Sequence, residues 1–184
     1  MAFGSIEHGT GVTCLSLAIA NFLCSKLGKK TAYVELNATN QICSLAPGTG
    51  KRPFSYMGIT IFPCTTHTSL PEILRMDFDF FILDMGVLNV YTANEFARYD
   101  RQFLVCSLSK WKRKLTLKRI EHLILNSRLH RDYLLILGND DKKESKKSFF
   151  FEDGFRVCPT PFIPNPFRLD SELFSFFEKI LGNH

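Results

Sequence analysis

The order of apolar and polar positions divides the chain into alternating helical and extended runs. Leu15, Ala18, Ile19, Phe22, Leu23 and Leu27 recur at intervals of three and four, which is one face of a helix. Lys26 in its last turn and Gly28 just beyond predict where it stops. Thr31-Ala-Tyr-Val-Glu-Leu predicts a strand, and Gly58-Ile-Thr-Ile-Phe62, closed by Pro63, predicts another. The stretch 38–57 between them is polar and rich in Gly and Pro, the composition of a loop or excursion. Asp79-Phe-Phe-Ile-Leu-Asp84 is a continuous apolar run with an acid at its end, and residues 102–106 and 133–137 repeat the pattern. Such runs suit strands covered on both faces. A basic helix over 111–127 lies between the last two, with Leu117, Ile120, Leu123 and Ile124 inward. Residues 139–147 read as an exposed charged loop, and Phe155-Arg-Val-Cys158 as a last short strand. Asp170 caps a terminal helix that turns Leu173, Phe174, Phe177, Ile180 and Leu181 inward, with Gly182 beyond it.

Strands alternating with helices predict an α/β fold, doubly wound around a mainly parallel sheet. The 184 residues are expected to form a single domain. No internal repeat is visible, and Phe149-Phe150-Phe151 is too short to interpret.

Composition narrows this only a little. With 45% hydrophobic and 22% charged residues the chain has the make-up of an ordinary globular protein. No stretch approaches the roughly 18 apolar residues of a membrane span. Residues 1–13 have neither a basic segment nor a long apolar run, so no signal peptide is expected and the protein reads as cytoplasmic. The six cysteines show no CxxC and no metal-ligand spacing, and read as small buried hydrophobes in a reducing compartment.

Charge is uneven along the chain. Residues 1–92 balance 6 basic against 6 acidic side chains, whereas 98–131 hold 10 basic against 2 acidic, a net of +8. Lys110, Lys112, Arg113, Lys114, Lys118 and Arg119, with Trp111 among them, are therefore a candidate partner-binding face. An acidic protein partner is favoured over DNA or membrane; a solvated helix face explains the same residues. Lys112, Lys114 and Lys118 are expected to point outward while Leu117, Ile120 and Ile124 pack on the sheet.

The chemistry-bearing segment is Gly9-Thr10-Gly11-Val12-Thr13-Cys14, which follows the short apolar start Met1-Ala2-Phe3 and opens into the first helix. A G-x-x-x-x-G-K-[ST] loop points backbone N–H groups at phosphate oxygens, with lysine neutralising charge and Ser/Thr holding Mg²⁺. Here the glycines and the threonine stand, and valine replaces lysine. Asp84, at the end of a later apolar run and followed by Met85-Gly86, is the acid that would hold the Mg²⁺ water shell beside Thr13. Three residues before Gly4 make a short first strand, which points to a misassigned start or a truncated strand. His8 has no second cluster of ligating residues around it in sequence and reads as a loop hydrogen-bonder. Glu35 and Asn37 also fit as strand-end or capping residues.

The order of these elements resembles the MinD/ParA family of deviant phosphate-loop ATPases, which position chromosomes, plasmids, division sites and pili. The resemblance is strongest over 4–37 and 79–86 and extends to Ile163-Pro164-Asn165-Pro166, similar to the family's late proline segment near the nucleotide base. The family loop K-G-G-x-G-K-[ST] falls on Glu7, His8, Gly9, Thr10, Gly11, Val12 and Thr13. Its dimer-crossing lysine is thus Glu7 and its phosphate lysine Val12. The family's D-x-D becomes Glu35-Leu36-Asn37, with an amide where the resemblance implies a carboxylate that activates water. The chain is similar to degenerate members of the pilus-localisation branch. The resemblance implies a bacterial protein with a vestigial or weak ATP and Mg²⁺ site, no catalytic residues, a homodimer as one compatible assembly, and a role in localisation or assembly through surface contacts. The alternatives are an active ATPase with a divergent loop and a nucleic-acid-binding module using 110–119.

Overall fold

The computed structural model describes residues 1–139 and 149–182. In chain order the elements are β1 (Ala2–Ser5), α1 (Val12–Asn21) with a π turn (Phe22–Lys26), β2 (Thr31–Glu35), β3 (Phe54–Tyr56), β4 (Ile59–Phe62), α2 (Leu70–Ile73), β5 (Phe80–Val87) and α3 (Val90–Phe96). These are followed by β6 (Gln102–Ser107), α4 (Arg113–Leu125), β7 (Leu134–Asn139), β8 (Phe150–Glu152), β9 (Phe155–Pro159) and α5 (Ser171–Gly182). The α/β class and the mainly parallel strand pairing are as the sequence predicts. Two compact units share the chain: Met1–Val12 with Val87–Phe162, and Thr13–Gly86 with Ile163–His184.

In the first unit β1, β6, β7 and β9 pair in parallel and β8 adds an antiparallel edge. β1 includes Gly4 and is buried at all four positions, so it is a working strand despite its length. Phe3 stacks on Phe103 of β6 at 4.8 Å. Glycine at position 4 answers a spatial need, since a Cβ there would come within 2.8 Å of the Leu88 side chain. Asn89 begins α3 with a reciprocal cap, its side chain accepting from the Tyr91 and Thr92 N–H groups while Thr92 Oγ1 accepts from Asn89 N–H. The β8–β9 hairpin was hidden in the sequence behind the phenylalanine run. Its signal is Asp153-Gly154, with φ of 48° and 78°, the pair of left-handed residues that a tight hairpin turn requires. The charged loop expected over 139–147 lies, beyond Asn139, outside the described residues.

In the second unit β2 lies between β4 and β5, parallel to both, and β3 pairs antiparallel with β4. The 38–57 excursion is thus not all loop. It holds β3 and a single 3₁₀ turn at Gln41–Leu45, and Met57-Gly58, with φ of 49° and 80°, turns the β3–β4 hairpin. β5 runs on to Val87, so Asp84 is inside the strand rather than at its end. It stands opposite Glu35, the last residue of β2.

α1 passes through the π turn, where the Leu27 N–H bonds back to Phe22 C=O, and Gly28 then turns the chain with φ of 63°. The inserted residue shifts the helical phase. Phe22 packs on Phe174 and Phe177 of α5, while Leu27, expected inward, is 47% exposed. Asp170 caps α5 by accepting from the Leu173 N–H at 2.9 Å. The inward face of α5 is Leu173, Phe176, Phe177 and Ile180; Phe174 and Leu181 are half-buried.

Two substitutions probe this packing. Phe177→Ala empties a fully buried ring position and should cost about 3–5 kcal/mol, whereas Leu27→Ala should stay within about 0.5 kcal/mol. Denaturant unfolding midpoints at unchanged m-value would show the difference.

Candidate nucleotide site

Residues 6–11 leave β1 as a turn and enter α1 at Val12. Gly9 and Gly11 hold φ of 75° and 89°, a region that side-chain-bearing residues rarely adopt. At Gly9 the need is conformational alone, since a Cβ there would meet nothing within 4 Å. Ser5 Oγ donates to Glu7 C=O at 2.6 Å and draws the turn back on itself. Thr10 is buried; His8, Gly9 and Gly11 are exposed. Val12 is only 7% exposed, so the position of the loop lysine is filled by an inward-packed apolar side chain.

Glu7 belongs to the same unit as α4, and α4 answers its charge. Its Oε2 lies 3.8 Å from both Lys112 Nζ and Arg119 Nη1. These pairs are long and partly exposed, worth roughly 0–1 kcal/mol each. Their consequence is electrostatic: two of the candidate face's cations look back at their own chain. Arg113 is also engaged, donating from Nε to Leu108 C=O at 3.1 Å and standing 3.7 Å from Glu152. The expectation that Lys112 points freely outward is corrected accordingly. Lys110, Lys114 and Lys118 are exposed, as is Trp111, over whose ring Lys112 Nζ sits at 5.0 Å. Leu117, Ile120 and Leu123 are buried as expected, and Ile124 is half-buried.

In the other unit Thr13 and Asp84 come together. Thr13 Oγ1 donates to Asp84 Oδ2 at 2.6 Å, Tyr33 Oη donates to the same oxygen at 2.8 Å, and Gly86 N–H donates to Oδ1 at 3.0 Å. Asp84 is fully buried, so these donors replace the water it gave up. Burial first, and then the charge of Asp84, push the Tyr33 hydroxyl well above its ordinary pKa, so it remains a donor. Ser16 Oγ lies 3.4 Å from that hydroxyl. Cys14 faces Ile163 C=O at 3.5 Å, and Asn21 Nδ2 donates to Pro166 C=O at 3.2 Å. The late proline segment is thereby fastened along α1.

Glu35 and Asn37 part ways. Fully buried Glu35 accepts from the Ile42 N–H at 3.4 Å and the Cys64 N–H at 3.1 Å. Asn37 donates through Nδ2 to Asp84 C=O at 3.3 Å, and its Oδ1 accepts from Thr39 N–H at 3.0 Å. It therefore works as a turn residue. It also packs on Gly86, where φ is 60° and a Cβ would come within 2.8 Å of Asn37 Cβ.

Sequence reasoning missed Tyr33 and Ser16. Their signal was a tyrosine between Ala32 and Val34 in a fully buried strand, which must find a partner for its hydroxyl. The cysteines also differ from expectation. All six are free thiols, yet only Cys106 and Cys158 are buried. Cys43 and Cys64 meet at 3.7 Å, far apart in sequence and so invisible to any spacing rule.

Thr13 and Asp84 have the chemistry to hold a Mg²⁺ ion and its waters. In the loop itself, Glu7 and Val12 offer no cation for phosphate.

No family model and no curated protein sequence matches the chain. Solved structures do. A candidate plasmid partition protein of Borrelia burgdorferi B31, bound to AMPPNP, superposes with a TM-score of 0.67 at 14% identity, over 98% of this chain and 95% of that one. A plasmid partition protein of Borrelia burgdorferi solved at 2.25 Å gives 0.61 at 16% identity, over 98% and 96%. At such identities the likeness is one of fold: the chain shares the α/β fold of these plasmid partition proteins. Among the described residues no helix is long and apolar enough to cross a membrane.

Tyr33→Phe removes one donor from Asp84 and nothing of its ring packing. It should lower stability by about 1.5–3 kcal/mol, the range for a bond to a charged group, as read by urea unfolding.

Proposed function

We propose that this chain is a ParA/MinD-like protein, one domain over residues 1–184, that binds nucleotide weakly, does not turn it over, and acts in localisation or assembly through surface contacts. The observation that carries this reading is the loop without a cation: Val12 packs inward, and Glu7 is held by Lys112 and Arg119. Gly9, Thr10, Gly11, Val12, Thr13, Cys14 and Asp84 would line what remains of the ATP and Mg²⁺ site. Each lost charge-assisted contact is worth roughly 1.5–3 kcal/mol. Losing two would weaken nucleotide by about two to four decades. Asn37 carries an amide where a water-activating carboxylate would be needed, and that amide is already spent on a turn.

The Thr13–Asp84 pair favours a second reading, an active ATPase with a divergent loop. Calorimetric titration with ATP and Mg²⁺, beside a phosphate-release assay, separates the two. The expected outcome is weak or no binding and no release above background. Release that disappears in Thr13→Ala would establish the ATPase instead. Val12→Lys should tighten nucleotide binding without restoring release, because it adds a cation and no base. Unchanged affinity in a folded variant would mean that the missing lysine is not what limits binding.

For surface contacts, Lys110, Lys114 and Lys118 are exposed and stand outside the Glu7 and Glu152 pairs, and an acidic protein is the partner that they suit. The triple Lys→Glu variant at 110, 114 and 118 should fold with near-native stability and lose the capture of acidic protein partners. Capture equal to wild type would reduce the face to a solvated one. Salt-sensitive DNA retention lost in the same variant would support the nucleic-acid reading instead.

A further inference from the structure

Glu35, Cys43 and Cys64 converge at the end of β2. Their ligating atoms lie within 4.8 Å of one another. Cys43 arrives on the 3₁₀ turn of the 38–57 excursion, and Cys64 follows β4. Glu35 is fully buried and has no ion pair among the described residues, so its charge is met only by two backbone N–H groups. Both N–H bonds fix the carboxylate while leaving each oxygen a further lone pair. The Sγ–Sγ separation is 3.7 Å. Two sulfurs each about 2.3 Å from a tetrahedral zinc stand about 3.8 Å apart. Asn40 brings a fourth candidate donor, with Oδ1 at 2.9 Å from Cys64 Sγ.

We propose that Glu35, Cys43 and Cys64 form a binding site for a thiophilic divalent cation, zinc before magnesium. The donor set argues the preference, since thiolates select zinc over hard, oxygen-seeking ions. On binding, two S–H bonds break, two Zn–S bonds form and two protons pass to solvent. Asn40 or a water completes four-coordination. The metal would clip the excursion to the ends of β2 and β4 and neutralise the buried carboxylate. This site is separate from the Thr13–Asp84 pair and independent of whether nucleotide binds.

Full-length protein, kept reduced with a phosphine and stripped of metal, is titrated with Zn²⁺ against a chromophoric chelator. One zinc per chain is expected. Cys43→Ser/Cys64→Ser should weaken it by at least about 100-fold, beyond the ~10–100-fold that losing a supporting outer partner costs. Glu35→Gln should also weaken it. Two readouts on the unsubstituted protein avoid dependence on folding of the variants. Co²⁺ should give a thiolate-to-cobalt charge-transfer band, and Zn²⁺ should shield Cys43 and Cys64, but not Cys24, from alkylation. Absence of stoichiometric zinc, binding undiminished in the double variant, or no selective shielding would overturn the proposal.

Discussion

A carboxylate buried inside a sheet strand must be surrounded by donors, and much of this molecule is arranged to satisfy that demand at Asp84. The donors come from different places in the chain: Thr13 from the first turn of α1, Tyr33 from β2, and Gly86 from β5 itself. Each constrains its element. The hydroxyl of Thr13 sets where α1 sits against β5. Tyr33 has to be a tyrosine in a strand whose neighbours are otherwise apolar. Gly86 has to adopt a left-handed backbone to present its N–H. An unpaired buried charge is costly enough that none of these can be released cheaply. The same cluster is what the proposed magnesium site would be built on.

The regularity of the chain made the architecture legible. Three- and four-residue spacing marks α1, α4 and α5, and uninterrupted apolar runs mark β5, β6 and β7. Helices α2 and α3, of four and seven residues, went unpredicted, and the strands that escaped notice were short and antiparallel. β3 and β8 carry three residues each, too few to show a period, and their signals lie in the turns Met57-Gly58 and Asp153-Gly154. The glycine loop at 9–11 stood out because its residues are nearly consecutive. The cluster of Glu35, Cys43 and Cys64 did not, since it depends on where the excursion folds back. Leu27 was misplaced for a different reason: a π turn changes the helical phase, and no periodic template carries an inserted residue.

Net charge along a segment proved a poor guide to charge on offer. The count of +8 over 98–131 treats every lysine and arginine alike. In the folded unit Glu7 faces Lys112 and Arg119, and Glu152 faces Arg113. Around α4 the exposed lysines outside these pairs are Lys110, Lys114 and Lys118. A long-range field survives this pairing in weakened form, while specific contacts have fewer groups to work with.

Asn37 ties the turn after β2 to β5. Its Nδ2–H is bonded to the Asp84 carbonyl, and its Cβ rests where Gly86 leaves room. A carboxylate at that position has no N–H to give, and would set one acceptor against another beside a buried charge. Asn37 is half-buried and the Asp84 carbonyl keeps the Leu36 N–H, so the loss is that of one ordinary hydrogen bond, about 0.5–1.5 kcal/mol. Asn37→Asp is therefore uphill for the fold. The amide thus has a structural use, as donor to one strand and as acceptor within its own turn, that a carboxylate would fill only in part.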